Sequence, residues 1–231
     1  MEKFMKWVEE KLVPPMAKVG TQRHLLAIRN GVVSTLSLIL IGSFFLIFVN
    51  IPYKPLADLL TPYAATIALP FRMTMGLMAI YATFVMGSDL AKSYKLDSTT
   101  GGILSLGAFF MLQMPVNVLT PKDKPLGFVL PMGSLGASGM FTGILAMIFA
   151  VEVYRFFSVH KITIKMPEQV PPAVARSFEA LIPGATILVT LWIIRDIAGF
   201  DVNNALLALF KPITGVLGNN LFGALLAMFL I

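Results

Sequence analysis

Three long stretches of this chain carry no charge: 24 residues between Arg29 and Lys54, 24 between Asp97 and Lys122, and 27 between Lys124 and Glu152. A helix rising about 1.5 Å per residue crosses ~30 Å of hydrocarbon in about 20 residues, so each stretch is long enough to span a bilayer alone. Hydrocarbon offers no partner to an unpaired amide, which makes the helix the expected form. Composition agrees. Hydrophobic residues are 57% of the chain, charged residues 13%, and the mean hydropathy is +0.81, against about 25% charged residues in soluble domains.

Two shorter runs extend the count. Met73 to Ser88 closes at Asp89, and it reaches spanning length if Arg72 lies inside the helix and snorkels outward. Ala180 to Ile194 is lengthened by an amphipathic turn before it and by Arg195 beside Asp196, a pair placed to neutralise each other in part. The expectation is an all-α integral membrane protein with five complete spans. The 20 uncharged residues after Lys211 end at AMFLI without a polar flank, so they read as a truncated sixth helix and the chain as a fragment.

The net charge of +6 fits topology better than nucleic-acid binding. Placing the N-terminus inside puts twelve of the eighteen basic residues in the cytoplasm: Lys3, Lys6, Lys11, Lys18, Arg23, Arg29, Lys92, Lys95, Arg155, Lys161, Lys165 and Arg176. Five lie outside (Lys54, Lys122, Lys124, Arg195 and Lys211), and Arg72 is uncounted. That asymmetry predicts a multi-pass protein with a cytoplasmic N-terminus. MEKFMKWVEEKLVPP has no apolar core or cleavage site of a signal peptide. Phe4, Val8 and Leu12, with Trp7 beside them, instead predict an amphipathic helix at the interface, or one packed on its own protein.

Residues 161–184, KITIKMPEQVPPAVARSFEALIPG, interrupt the apolar pattern. Lys161, Thr163 and Lys165 alternate with Ile162, Ile164 and Met166, which predicts a short cytoplasmic strand ended by Pro167. Pro171 and Pro172 favour a helix start, and Val174, Phe178 and Leu181 give that helix an apolar stripe. Pro183 and Gly184 permit a kink before the fifth span. Such a structured loop is either a connector or a docking surface for a soluble partner.

ITIKMPEQVPPAVARSFEALIPG closely resembles the signature of the IIC membrane component of bacterial sugar phosphotransferase systems, in the lactose, cellobiose and diacetylchitobiose class. QRHLLAIRNGVVSTLSLILIGSFFLIFVNIP resembles the first transmembrane helix of the same family. The resemblance implies a homodimeric permease of the bacterial cytoplasmic membrane. Its substrate, a disaccharide such as cellobiose or diacetylchitobiose, is phosphorylated as it enters. It further implies that residues 1–200 are an N-terminal dimerisation and scaffold domain, 201–218 an amphipathic linker, and 219–231 the start of the sugar-binding domain. The family's sugar-contacting histidine and its key glutamate then fall beyond Ile231. In this class IIB carries phosphate on cysteine and IIA on histidine. With no cysteine in the chain, the phosphate donor is expected to be a separate, soluble IIB protein, for which Lys161, Lys165 and Arg176 would supply a positive docking surface.

No chemistry of its own is expected of the chain, and no cofactor. The absence of cysteine removes zinc knuckles and thiol nucleophiles. His24 and His160 have no histidine or carboxylate at metal-ligand spacing and read as interfacial residues. MGSLG lacks the lysine of a phosphate loop. Arg72 and Arg29 read as anchors at helix ends. In PMGSLGASGMFTG, Gly139 and Gly143 form GxxxG, and Gly133 and Ala137 repeat small-xxx-small; both spacings suit close packing, within one subunit or between two. Asp201 is a candidate N-cap for an external amphipathic helix with Leu206, Leu209, Phe210 and Ile213 on one face and Asn203 and Lys211 off it, while Asn219 and Asn220 would cap the truncated sixth helix. Two further functions stay open: a membrane scaffold without a transported solute, and, ranked last, an ion-coupled carrier. The carrier predicts carboxylates within the spans, yet Glu152 and Glu179 lie at span ends.

Overall fold

Small residues at helical spacing decide how these apolar segments pack. The computed structural model describes residues 6–7, 11, 13–14, 20–113, 115–119, 125–164, 166–167 and 169–218. The predicted N-terminal amphipathic helix falls mostly outside these residues, and the sixth helix at 219–231 falls wholly outside them.

Helix α1 (Arg23–Ser34) is separated from α2 (Leu36–Val49) by Thr35, whose hydroxyl donates to the Val32 carbonyl at 2.7 Å. The chain then runs through α3 (Lys54–Leu60), α4 (Ala64–Ile67) and α5 (Leu69–Thr74) into α6 (Met78–Ser93), with 3-10 turns at Thr61–Tyr63 and Met75–Leu77. Helix α6 continues past the predicted closing charge, because the Asp89 carboxylate accepts a 2.7 Å hydrogen bond from Asn30 of α1. Next come α7 (Ser98–Leu112), α8 (Met140–Val159), α9 (Pro172–Glu179), α10 (Leu181–Trp192) with a π-helical turn at Ile193–Ile197, and α11 (Val202–Gly218).

Helix α6 buries Ala79, Ala82, Thr83, Met86, Gly87, Leu90 and Ala91, a strict i, i+3, i+4 stripe. Helix α8 answers with Thr142, Gly143, Ala146, Met147, Ala150 and Val151. These two central helices share one cluster with Ala27 of α1, and a second with Phe109 of α7 and Ile187 of α10. Lipid is as apolar as leucine, so close van der Waals approach holds such helices together. A Cβ at Gly101 of α7 would collide with Ala91 and stand 2.9 Å from the Gly87 carbonyl oxygen, so only glycine allows this crossing.

Among the described residues, four helical segments are long and apolar enough to cross a membrane: Arg23–Val49, Lys54–Ser93, Ala137–Val159 and Val174–Ile197. The predicted third span is shorter. Helix α7 has 15 residues and ends where Pro115 bars its continuation. An antiparallel hairpin follows, β1 (Val116–Leu119) with β2 (Pro125–Val129), in the register Val116 to Val129 and Val118 to Gly127. The charge-free run after Lys124 is therefore strand and 3-10 turns as far as Gly139, and only its second half is helix.

The strand predicted at 161–166 is turn and bend among the described residues. Lys161 has φ 56°; its amide donates to the Ser158 carbonyl and that of Ile162 to the Phe157 carbonyl. This is a Schellman cap, in which Lys161 takes the left-handed position that ends α8 and cannot open a strand. The two prolines set the next helix as their spacing predicts, with α9 starting at Pro172. The break before α10 falls at Ala180 rather than at Pro183, which sits in the first turn of α10, where a missing N–H costs little.

Candidate functional site

One end of the bundle gathers the start of α1, the α6–α7 turn, the end of α8 and α9. Gln22 caps α1, its Oε1 accepting from the Leu25 amide at 3.1 Å, which turns its Nε2 toward His24 Nδ1 at 2.9 Å. An amide nitrogen only donates, so Nδ1 accepts and the imidazole proton sits on Nε2. From there it donates to Glu152 Oε1 at 2.9 Å. The Tyr94 hydroxyl donates to the same oxygen, and Arg155 Nη1 donates to Glu152 Oε2 at 3.2 Å. The Arg155 guanidinium also lies 4.2 Å from the centre of the Tyr94 ring. Burial, then the Glu152 hydrogen bond, pushes the Tyr94 hydroxyl above its ordinary pKa. One carboxylate thus ties three elements together.

From the sequence, His24 reads as interfacial and Glu152 as a span-end residue, with nothing to bring them together. They are 128 positions apart, and no local pattern links them. The available signal is a lone acid in the second half of an apolar helix, where ionisable groups need partners.

The predicted docking cations separate. Lys161 is exposed at the α8 cap, and Lys165 lies outside the described residues. Arg176 is half-exposed, with its Nε 3.6 Å from Asp97 Oδ2. Asp97 also accepts from the Thr100 amide at 2.8 Å, capping α7. Hydrogen bonds from Thr100, reinforced by Arg176, hold its carboxyl below the usual carboxylate range.

The predicted small-residue face also divides. Gly139 and Gly143 are buried within the chain: a Cβ on Gly139 would meet the Ser134 carbonyl oxygen, and one on Gly143 the Thr83 hydroxyl of α6. Gly133 and Ala137 lie exposed in the turns before α8, and a Cβ on Gly133 would meet nothing.

The opposite end holds a second polar cluster that contradicts two expectations. Arg195 pairs with Asp201 across 2.8 Å rather than with Asp196, which is exposed. The π-helical turn and Gly199, at φ 66°, bend the chain back so that the start of α11 covers the guanidinium, leaving Arg195 only 6% exposed. Asn203, expected off the packed face, points into it. Its side chain bonds the Thr142 hydroxyl of α8, the Leu112 carbonyl at 3.3 Å and Gln113 Oε1 at 3.1 Å. The α7 terminus leaves carbonyls without helical partners, and Asn203 serves one of them. Asp201 caps α11 through the Asn204 amide at 3.0 Å. Burial pushes the Asp201 carboxyl up, but hydrogen bonds from Arg195 and Asn204 more than reverse this, leaving it below the usual range. Among the described residues, no three His, Asp or Glu side chains group as metal ligands.

Residues 29–231 match the family described as "Phosphotransferase system, EIIC". The chain is 34% identical over 245 residues to the PTS system cellobiose-specific EIIC component of Geobacillus stearothermophilus, covering 100% of this chain and 54% of that protein. It is 29% identical over 226 residues to the PTS system lactose-specific EIICB component of Staphylococcus epidermidis, covering 92% of this chain and 37% of that one. Its structure is similar to the crystal structure of the transporter ChbC, the IIC component from the N,N'-diacetylchitobiose-specific phosphotransferase system. That match has TM-score 0.84 and 35% sequence identity, and covers 96% of this chain and 54% of that one. The chain spans about half the length of the curated relatives it matches. With a family match over nearly its whole length, the chain belongs to the EIIC permease family of the phosphotransferase system.

Proposed function

We propose that this chain is the scaffold half of a sugar-translocating IIC subunit that moves a disaccharide such as cellobiose or diacetylchitobiose across the membrane for phosphorylation by IIB. The observation that carries this reading is the similarity to ChbC at TM-score 0.84 over 96% of the chain. In this reading residues 1–200 form the dimerising scaffold, 201–218 the linker and 219–231 the entry to the sugar-binding half. The N-terminus is cytoplasmic, and the chain contributes no catalytic residue.

The bundle suits such a role. Close small-residue contacts make a stiff frame, and the Arg195–Asp201 and Asn203 contacts seat the linker helix on that frame. Movement of the sugar-binding half would then work against a fixed base. IIB would dock on the face that carries Lys161, Lys165 and Arg176; the name EIICB of the lactose-specific relative supports such a pairing.

The test is uptake of radiolabelled cellobiose and diacetylchitobiose by cells expressing the complete protein, with and without IIB. Uptake that requires both proteins is the expected result. A stable membrane protein with no uptake of any β-linked disaccharide would return the reading to a membrane scaffold. Replacing Lys161, Lys165 and Arg176 with Gln tests docking, which predicts lost uptake with sugar binding intact.

A further inference from the structure

Helix α8 has a second stripe, turned away from the small residues that pack on α6. Leu145, Ile148, Phe149, Val153 and Phe156, with Thr186 of α10, line an open groove of about 670 Å³. Thr186 donates its hydroxyl to the Ile182 carbonyl at 3.0 Å, so the wall is apolar apart from the Glu152 carboxylate that borders it. From Leu145 to Phe156 the stripe climbs about 16 Å at ~1.5 Å per residue, roughly half of a ~30 Å hydrocarbon core and so the depth of one leaflet.

At Phe156 the groove opens into a recess of about 210 Å³ bordered by Arg155, Val159 and His160, with Glu152 common to both spaces. Glu152 already accepts from His24, Tyr94 and Arg155. His160 uses Nδ1 on the Phe156 carbonyl at 2.8 Å, and among the described residues its Nε2 has no partner. Lys161, exposed and next in sequence to His160, carries a further positive charge. The groove is thus mostly oily along one leaflet, and at its end Arg155 and the neighbouring Lys161 outnumber the single carboxylate of Glu152.

We propose that this groove is a phospholipid site: one acyl chain lies along α8 between Leu145 and Phe156, and an anionic headgroup phosphate sits against Arg155, His160 and Lys161. The match of apolar length to leaflet depth, and of positive charge to the mouth, favours an anionic phospholipid over a second copy of the chain. The site does not depend on which sugar is carried.

Native mass spectrometry of the complete protein, released from nanodiscs of equal phosphatidylglycerol and phosphatidylcholine, tests this. Retention of phosphatidylglycerol over phosphatidylcholine is expected. Changing His160 and Lys161 to Gln should lower that preference at least fivefold, and Val153→Trp, which fills the groove, should remove retention of both lipids. Melting temperatures confirm that each variant is folded. Equal retention of the two lipids in the unaltered protein, or unchanged retention in folded Val153→Trp, overturns the proposal. A single cysteine at position 153 gives an independent reading. Cross-linking to a second copy, or protection from a lipid-soluble maleimide in delipidated protein, would assign the groove to protein contacts and sink the lipid.

Discussion

The Arg195–Asp201 contact predicts an asymmetry between its two partners. Arg195 is 6% exposed and Asp201 37%. Asp201→Asn keeps an N-cap residue on α11 and removes only the charge, so a buried guanidinium loses its counter-ion. Its Nε already lacks a partner among the described residues, so little local compensation is at hand. Breaking a fully buried pair costs ~3–5 kcal/mol, and exposed pairs are worth ~0–1 kcal/mol. Because solvent reaches the Asp201 side, the cost should fall between these limits, near 2 kcal/mol. Arg195→Met leaves a partly hydrated carboxylate and places an apolar chain where the guanidinium lay, which should cost under ~1 kcal/mol.

For a chain of this length, ~1 kcal/mol moves a melting temperature about 2–4 °C, so Asp201→Asn should lower it by about 4–8 °C and Arg195→Met by less than about 4 °C. Asp201→Ala should cost ~1 kcal/mol beyond Asp201→Asn, because the cap is lost as well. Size-exclusion melting curves in one detergent, at constant pH and salt, measure all three. The double variant Arg195→Met with Asp201→Asn should be more stable than Asp201→Asn alone. If Arg195→Met is the more damaging single change, or the double variant is the least stable, the contact is not governed by an unpaired buried cation and the reasoning fails.

Other positions give sharper contrasts. Gly143→Leu drives a side chain into Thr83 and should cost at least ~1–3 kcal/mol, whereas Gly133→Leu, facing open space, should leave the melting curve unchanged; equal effects would refute the packing. Lys161→Gly should raise stability by up to ~1 kcal/mol, since glycine takes a positive φ without the Cβ penalty, provided the measurement is made without bound lipid. Asp97→Ala should cost ~1 kcal/mol through the lost α7 cap. Because the folded Asp97 carboxyl titrates below its usual range, its contribution is full above the unfolded value of ~4 and disappears as pH falls through the folded one. The wild type and the variant should therefore converge in melting temperature as pH falls below ~4, and a gap that widens instead contradicts the assignment.

Much of this architecture was legible because a bilayer imposes a length scale. Counting charge-free residues found α1 with α2, α6, α8 and α10, and the prolines at 171 and 172 fixed the start of α9. The count failed where an apolar run was not a single element. Pro115, Pro121 and Pro125 interrupt the stretch after α7, and proline removes the donors a helix needs, so valines and a phenylalanine there pair as a hairpin. At Lys161, period-2 alternation was present in the sequence, but a strand needs a partner. The end of α8 claimed that backbone for its cap.

The polar contacts were harder to read, for a reason that also bears on function. In an apolar chain each charge was assigned to its nearest neighbour or to the headgroups: Arg195 to Asp196, His24 to the interface. The folded chain instead pairs Arg195 across a tight turn, and Glu152 with a histidine 128 residues away. Both pairings sit at bundle ends, where water is at hand for the open side of each pair and protein covers the other. Apolar small-residue packing fixes how close the helices come. A directional bond between ends fixes the axial register. Glu152 holds α1, the α6–α7 turn and α8 level at one end, and Asn203 holds α7, α8 and α11 level at the other. Losing either set should therefore loosen register before it unfolds the bundle. The sign would be cysteine pairs across α1 and α8 that cross-link in new combinations while helical circular dichroism stays constant.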